Sequence, residues 1–504
     1  MADAAASLKG LARQAEEAVT GMVHAAEGVE KLAVDAVNSQ DNRPLYESRK
    51  RIHPKKASGI FRKLKWIVMF VTMAVYYLTP WIRWDRGMSA PDQAVLLDFP
   101  NRKFYFFFIE IWPQQIYLLT GLLILAALAL FLVTSLAGRV WCGYTCPQTV
   151  WTDMFIAVER WVEGDRNARL RLDKQPWSAE KIRKRFTKHI IWILIALSTG
   201  GAWVFYFRDA PTLAVELVTL KAPLIAYLFI AIFAAVTYVL GGLMREQVCT
   251  YMCPWPRIQG AMFDEDSLLV TYRTYRGEPR GAHKKGEEWE GRGDCIDCKL
   301  CVAVCPMGID IRDGPQLECI QCALCIDACD SIMTKIGRPA GLIAYDTFRN
   351  IEGVEEGRKP VAPKLIRPRT IVYSVLIGAV GVLMLFALIS KETLTMNVLR
   401  DRNPLFVPLS SGDVRNGYTL KIINQEHRER RFVVSATGAG EASVKLTGYE
   451  GAEFVVPGDE IVSVRLFVTA TPPTGGNVPL TILISEENGG QVVGEVTSFR
   501  GPGD

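Results

Sequence analysis

Long apolar runs alternate with polar stretches along the first three quarters of the chain. A membrane-spanning helix needs about 20 predominantly apolar residues in succession. Five runs approach or reach that length, which predicts five transmembrane helices. They are Trp66 to Trp84, Ile116 to Ala137, His189 to Phe207, Pro223 to Met244 and Ile371 to Ile389.

The last quarter follows a different period, in which apolar and polar positions alternate and turn residues such as Pro457-Gly-Asp459 intervene. This pattern is typical of short strands with one buried face. About seven such strands over roughly 110 residues predict an immunoglobulin-like sandwich. The clearest strands are Tyr418 to Asn424, Arg431 to Ser435, Ile461 to Val468 and Leu480 to Ile484. This part has no Cys, so contact or scaffolding is its expected role.

Between the last two apolar runs lie two tandem groups of four cysteines, Cys295 to Cys305 and Cys319 to Cys329, with the spacing of a two-cluster ferredoxin. The resulting fold class is an α-helical membrane protein with an inserted ferredoxin-like domain and an all-β C-terminal domain. A hydrophobic fraction of 49% over 504 residues agrees with a membrane protein carrying soluble additions. The predicted units are a mobile extension (1–48), four transmembrane helices (49–260), a loop (261–369) with a ferredoxin domain at about 290–335, a fifth helix (370–390) and the sandwich (391–504).

Basic residues are distributed unevenly between the loops, and loops rich in Lys and Arg stay in the cytoplasm. Residues 49–65 carry eight Lys or Arg and residues 138–187 carry ten, whereas 208–222 carry two and 83–115 carry four. We therefore expect a multi-pass protein of the bacterial inner membrane. Its N-terminus and the 245–370 loop would be cytoplasmic, and residues 391–504 would be periplasmic.

All twelve cysteines lie in short-spaced groups between Cys142 and Cys329, which suits metal ligation better than a disulfide framework. Two tandem runs of four have the spacing of a two-cluster ferredoxin, in which the fourth thiolate comes from the other run. Zinc sites usually pair two ligands and then two more, so this spacing favours iron–sulfur. The predicted ligand sets are Cys295, Cys298, Cys301 and Cys329 for one 4Fe–4S cluster, and Cys305, Cys319, Cys322 and Cys325 for the other.

The other four cysteines form a repeated Cys-x-x-x-Cys-Pro motif just after the second and fourth runs. The motifs are Cys142-Gly-Tyr-Thr-Cys146-Pro147 and Cys249-Thr-Tyr-Met-Cys253-Pro254. We predict that Cys146 and Cys253 cap a following helix with proline at its first position. A thiol there has a lowered pKa and suits a soft ion such as Cu(I). Copper binding, a transient disulfide and another ligand all remain open.

Other chemistry has little support in the sequence. The five histidines are not placed as axial ligands within spans, no glycine-rich dinucleotide fingerprint follows a strand, and His53 and His283 are expected to be solvated. The basic run from Lys181 to Lys188 is most simply a topology signal and does not indicate nucleic-acid binding.

Five spans, two Cys-x-x-x-Cys-Pro motifs, a two-cluster ferredoxin loop and the C-terminal sandwich together resemble the cytochrome c oxidase accessory proteins of the CcoG (FixG, RdxA) family. The resemblance covers the chain from about Asp41 onward, and the segment Tyr77 to Trp84 also looks like that family. It implies two 4Fe–4S clusters and a cupric reductase that supplies Cu(I) for assembly of cbb3-type oxidase. The copper-facing catalytic thiols would be Cys142, Cys146, Cys249 and Cys253.

The implied partners are oxidase assembly factors, copper chaperones and an unidentified cytoplasmic electron donor, with a homo-oligomer as a possibility. Two alternatives stay open at the level of the sequence. One is a quinol-linked polyferredoxin subunit of an electron-transfer chain. The other is a non-enzymatic assembly scaffold that docks oxidase subunits through residues 391–504.

Overall fold

The computed structural model describes residues 31–37, 51–87, 90–283, 288–449, 451–473, 476–487 and 489–502. Its α-helices are α1 Ile60–Leu78, α2 Ile116–Ala137, α3 Val140–Tyr144, α4 Pro147–Glu163, α5 Arg166–Lys174, α6 Ala179–Val204, α7 Ala210–Val218, α8 Leu224–Thr237, α9 Trp255–Gly260, α10 Thr274–Gly277, α11 Leu300–Val304, α12 Leu324–Lys335, α13 Phe348–Glu355 and α14 Pro368–Ile389. Tyr238–Met244 and Val248–Met252 are π-helical.

Three short strands form one sheet, and two more bracket the ferredoxin-like segment as an antiparallel pair. These are β1 Val95–Asp98, β2 Lys103–Phe106 and β3 Ile109–Ile111, followed by β4 Leu269–Tyr272 and β5 Ile343–Asp346. The remaining strands are β6 Leu394–Arg400, β7 Val407–Pro408, β8 Val414–Asn424, β9 Arg430–Thr437, β10 Ser443–Leu446, β11 Glu453–Val456, β12 Glu460–Ala470, β13 Asn477–Glu486 and β14 Val492–Arg500.

Four helical stretches of the described chain are long and apolar enough to cross a membrane. They are Ile60–Trp81, Pro113–Ala137, Leu224–Met244 and Pro368–Ile389. They correspond to four of the five predicted spans, although the first begins six residues before the predicted Trp66. The predicted third span lies in α6 and is not among them, because the charged N-terminal turns of this 26-residue helix leave a short apolar stretch.

Helix α6 nevertheless packs closely against two neighbours. The fully buried Trp192 donates its indole N–H to the carbonyl of Phe155 in α4, over 3.1 Å. A Cβ added at Gly200 would lie 2.6 Å from the backbone oxygen of Ile230 in α8. Small residues permit such close approach of helices in membranes, so Gly200 sets the contact between α6 and α8.

The C-terminal strands form two sheets with a shared apolar core, which confirms the all-β C-terminal domain. One sheet has the order β10-β12-β8-β6, with β7 also paired to β8, and the other has the order β11-β9-β13-β14. All four clearest predicted strands fall inside observed ones. The described residues contain nine strands here, against about seven predicted; the shortest, β7, has two residues, too few to show a period. The fully buried Tyr418 donates its hydroxyl to the backbone oxygen of Ser498 over 2.9 Å.

A carboxylate on the ferredoxin-like segment fixes that segment to the first long helix. Asp327 in α12 accepts hydrogen bonds from the amides of Phe61 and Arg62, at 3.1 and 2.7 Å, in the first turn of α1. A carboxylate at a helix N-terminus satisfies amides that have no partner in the helix and is favoured by the helix dipole. Asp327 therefore positions the cluster-ligating loops against the membrane helices.

Residues 31–37 differ from the predicted mobile extension, because they lie along the ferredoxin-like loop. The amide of Leu32 donates to the carbonyl of Cys298 over 3.1 Å, and the amide of Val37 donates to that of Gly308 over 2.7 Å. The side chain of Leu32 is buried. We call this segment the strap; the rest of predicted unit 1–48 lies outside the described residues.

Candidate functional site

The first predicted ligand set surrounds one cavity. Cys295, Cys298, Cys301 and Cys329 all line it, with Tyr272 and Arg312 beside them. Cys329 comes from α12, whereas the other three come from the run that leads into α11. The cavity is closed by apolar side chains such as Ile332 and Leu342, and such a low-dielectric shell around thiolates is one of the protein's means of setting a cluster potential.

The second predicted set surrounds a neighbouring cavity. Cys305, Cys319, Cys322 and Cys325 line it, and Cys301 lies at the boundary between the two. Helix α12 carries one member of each set, since Cys325 faces the second cavity and Cys329 the first. The structure thus brings together the thiols that the sequence assigned to each cluster. Each set takes three thiols from one cysteine run and its fourth thiol from the other run.

The two loops repeat the same unusual backbone. Asp297 and Lys299 flank Cys298 with positive φ angles of 51° and 55°, and the equivalent Gln321 and Ala323 flank Cys322 with 55° and 59°. Non-glycine residues rarely adopt this conformation, and they concentrate at functional sites. Successive amides in such turns form concavities that bind anionic groups, including iron–sulfur centres. Donor set and backbone therefore both fit a 4Fe–4S cluster at each site.

The Cys-x-x-x-Cys-Pro thiols lie beside the second cavity. Cys142 and Cys249 pack against the same apolar cluster as Cys305, Cys319 and Cys322. Cys142 lies in α3, and its thiol donates to the Oε1 of Gln259 over 3.2 Å. The hydroxyl of Tyr144 donates to the backbone oxygen of Cys322 over 3.3 Å. The first motif is therefore in direct contact with a predicted cluster loop.

The two motifs end differently. Cys146 caps α4 with Pro147 as its first residue, as predicted. For the second motif the prediction is wrong, because the following helix is capped by Pro254, and Cys253 instead ends the π-helical segment Val248–Met252. The corresponding part of the first motif, Val140–Tyr144, is α-helical, and π-helical turns, with their i→i+5 hydrogen bonds, are frequent at functional sites.

For Cys146 the predicted lowering of the thiol pKa is also wrong. Burial raises the pKa of Cys142 and of Cys249 to about 12. Burial raises the pKa of Cys146 as well, although the amides of Thr149 and Gln148 at the start of α4 oppose the shift. The loss of hydration of a thiolate outweighs the helix N-terminus here. These thiols are therefore protonated at neutral pH until an ion displaces the proton.

A group of two carboxylates and one histidine lies apart from the cysteines. Among the described residues, the group of three or more His, Cys, Asp or Glu side chains with ligand atoms within 4.8 Å of one another is Glu110, His427 and Asp459. The Nε2 of His427 lies 3.5 Å from the Oε1 of Glu110, and its Nδ1 bonds to Asp459. Both ring nitrogens thus face carboxylates, so we interpret this group as an ion-pair network.

Sequence reasoning missed several polar residues that organise the thiol site. Arg139, which follows the predicted second span, is buried, and its guanidinium donates to the carbonyls of Leu317, Cys319 and Pro256. Its backbone amide donates to the Oε1 of Gln321 over 2.9 Å. The only signal in the sequence was its position three residues before Cys142, where a basic residue also indicates membrane topology.

Comparisons with known proteins agree with this arrangement. Residues 119–165 match a 4Fe-4S binding domain, residues 244–348 match a 4Fe-4S dicluster domain, and residues 384–502 match the IG-like fold at the C-terminus of FixG. Nitrogen fixation protein FixG of Rhizobium meliloti is 52% identical over an alignment of 474 residues that covers 88% of this chain and 90% of that protein. The chain belongs to the FixG/RdxA family.

Two further relatives extend the similarity to nearly their whole length. The proteins RdxB and RdxA of Cereibacter sphaeroides are 51% and 50% identical to this chain over 467 residues. The match covers 91% of this chain in both cases, and 98% and 99% of the relatives. As a member of the FixG/RdxA family with two cluster-binding regions and membrane-length helices, the protein is a membrane-type 4Fe–4S electron-transfer protein.

Gly143 offers a test of the contact between the first motif and the second cluster loop. A Cβ at this position would lie 2.8 Å from the carbonyl oxygen of Ile320 and 3.0 Å from that of Gln321. We expect Gly143→Ala to push α3 away from this loop at a cost of about 1–3 kcal/mol, so that iron falls from about eight toward about four atoms per chain. Iron and sulfide analysis after anaerobic gel filtration measures the loss of the cluster.

Gly201→Ala is the matched control, because no described atom lies within 4 Å of its added Cβ. Equal iron content in the two variants would contradict the prediction.

Proposed function

We propose that this protein is a metal-ion reductase that converts Cu(II) to Cu(I) at the thiols of the two Cys-x-x-x-Cys-Pro motifs. The observation that carries the proposal is the shared apolar cluster of Cys142 and Cys249 with the ligands of the second cluster. A bound 4Fe–4S cluster supplies one electron at a time. Reduction of Cu(II) to Cu(I) consumes one electron, so donor and acceptor match without a further mediator.

The thiols supply binding and selectivity. They are half-buried, and burial keeps Cys142 and Cys249 protonated, so each bound ion displaces protons to solvent. Thiolate ligands favour Cu(I) over harder ions, and binding by thiolates therefore favours the reduced state. Two thiolates suffice as ligands for Cu(I), and each motif supplies two.

A cavity of about 200 Å³ leads to the second motif. It is lined by Cys249 and Cys253, by Tyr251, and by the charged side chains of Arg257 and Glu318. A hydrated copper ion enters such a polar opening more readily than an apolar one, because it keeps part of its hydration until the thiols replace it. We assign to this cavity the access route for copper.

The proposal includes a location and partners. In the bacterial inner membrane, with the ferredoxin-like domain in the cytoplasm, both clusters and all four thiols lie on one side, and no electron has to cross the bilayer. This orientation requires α6 to cross the membrane together with the four apolar helices. Copper chaperones and assembly factors of cbb3-type oxidase would take the Cu(I), and the sandwich would provide a contact surface.

The decisive experiment uses the anaerobically purified full-length protein, reduced and then mixed with Cu(II). We expect stoichiometric cluster oxidation and Cu(I), trapped by a Cu(I)-specific chelator. The double variant Cys142→Ala/Cys146→Ala is expected to keep about eight iron atoms per chain and to lose at least about 90% of the rate, because a missing thiolate pair removes the soft ligands.

Two results would contradict copper reduction at these thiols. An unchanged rate of Cu(II) reduction in this double variant would place the reaction away from the thiols and overturn the proposal. Rapid reduction of the clusters by a quinol, with no reaction toward Cu(II), would favour the quinol-linked electron-transfer subunit instead. A scaffold without redox function would show neither reaction.

A further inference from the structure

A cavity of about 820 Å³ lies between the strap and the first cluster loop. Its apolar lining includes Leu32, Val34 and Val37 of the strap, and Ile52 and Val302 opposite them. Cavities of 300–1,000 Å³ are the size of those that bind cofactors and other small organic ligands. The function derived above does not use this cavity.

The cavity shares a wall with the first cluster site. Ile296, Cys298 and Lys299 line both. A molecule in the larger cavity would therefore be separated from the cluster thiolates by a single layer of residues. A ligand at this position is suited to exchange electrons with the clusters, and the copper-facing thiols lie beside the other cluster.

The charges around the cavity are mainly positive. Four cations line it, together with one carboxylate, that of Asp35. Two of the cations are already paired, since Lys31 lies 2.5 Å from Asp297 and Lys299 lies 3.0 Å from Asp35. The other two, Arg51 and Arg166, form no ion pair with another residue in the described ranges. Arginine is the usual ligand of phosphate groups, so the cavity suits an anion.

His53 forms part of the cavity wall. This residue is buried, contrary to the solvated position that the sequence suggested, and it lines the cavity. Its Nε2 lies 2.7 Å from the carboxylate of Asp173, and burial lowers its pKa. A neutral imidazole whose Nε2–H donates to a carboxylate presents Nδ1 as an acceptor. Nδ1 has no partner among the described atoms but has almost no exposed surface, so His53 contributes to the wall by its packing and we assign it no contact with a ligand.

We propose that this cavity binds a phosphate-bearing flavin, of the flavin mononucleotide class, as the electron donor to the clusters. Nicotinamides transfer two electrons together as hydride, whereas flavins release them singly, as 4Fe–4S clusters require. The isoalloxazine ring would occupy the apolar part, and its phosphate would bind Arg51 and Arg166. One reduced flavin loses two electrons and two protons; the protons go to solvent and each electron reduces one cluster.

The inference depends on the iron–sulfur electron transfer of this family and not on copper as the acceptor. Its test is therefore a binding measurement that contains no copper. The full-length protein is purified anaerobically, and flavin mononucleotide and riboflavin are titrated separately while the quenching of flavin fluorescence is followed. We expect flavin mononucleotide to bind at least about tenfold more tightly than riboflavin, because only the former carries the phosphate.

Replacing both arginines isolates the phosphate contact. Arg51→Gln/Arg166→Gln is expected to raise the Kd for flavin mononucleotide about tenfold or more and to leave riboflavin binding unchanged. Arg171→Gln is the matched control, because Arg171 lies on the same helix as Arg166, is exposed and does not line the cavity. Unchanged iron content in all variants confirms that they fold.

Three outcomes would overturn the proposal. The first is equal affinity for the two flavins, and the second is an unchanged Kd in the double arginine variant. The third is a protein that binds no free flavin but whose clusters are reduced by an acidic flavodoxin-type protein at a rate that the double variant slows. That last result would make the arginines part of a protein-docking surface.

Discussion

Replacing Cys329 by Ala should remove the same cluster as replacing Cys295, although the two residues belong to different cysteine runs. Helix α12 places Cys329 at the first cavity, with Cys295, Cys298 and Cys301, while Cys325 on the same helix lines the second. A cluster that loses one of four thiolates is expected to be lost or converted, so iron should fall from about eight to about four atoms per chain.

The measurement is iron content together with the electron paramagnetic resonance spectrum of the dithionite-reduced protein. Cys329→Ala and Cys295→Ala should leave the same residual spectrum. Cys305→Ala and Cys319→Ala should leave the other one, which is the matched comparison from the second site. If Cys329→Ala instead matched Cys319→Ala, each run would hold its own cluster, and the exchange of the fourth thiolate would be wrong.

Replacing Arg139 by Met should destabilise the contact between the thiol site and the second cluster loop, and should lower the potential of that cluster. The guanidinium donates to the carbonyls of Leu317, Cys319 and Pro256. Each buried carbonyl that loses its donor costs about 1–3 kcal/mol. A positive charge favours the reduced cluster, which is the more negative state, so its removal lowers the potential, by a shift on the order of 100 mV.

A redox titration followed by electron paramagnetic resonance separates the electrostatic effect from the structural one. Arg139→Lys keeps the charge but not the planar set of donors. It should therefore recover most of the potential while remaining less stable than the native protein. The cluster held by Cys295, Cys298, Cys301 and Cys329 serves as an internal reference. Equal potentials for the second cluster in Arg139→Met and the native protein would exclude an electrostatic role for Arg139.

The sequence predicted those parts of the protein that depend on local spacing. Cysteines separated by two intervening residues, in tandem runs, require a compact loop with converging thiols. The structure places the two predicted sets of cluster ligands at two cavities. Alternation with a period of two fixes which side chains of a strand face the core, and the strands from Tyr418, Arg431, Ile461 and Leu480 lie within β8, β9, β12 and β13.

The failures concern properties set by distant neighbours. A cysteine before proline predicted a helix cap with a lowered pKa, but the burial that raises the pKa of Cys146 comes from the packing of other segments. The second motif differs from the first because π-helical turns precede Cys253, and their register depends on how the helix packs. His53 lies in a basic stretch of the sequence and was therefore predicted to be solvated. In the structure it contacts Asp173, which lies 120 residues later in the chain.

The sequence by itself therefore determined the kinds of unit in this protein and the chemistry of its cysteines, because hydrophobic period and ligand spacing are local quantities. Only the tertiary structure decided what those units do to one another. It brought Cys142 and Cys249 against the second cluster loop, buried Arg139 between them, and laid residues 31–37 over Cys298. These contacts join residues far apart in the chain, and their free energy comes from burial and hydrogen bonding that exist only after folding.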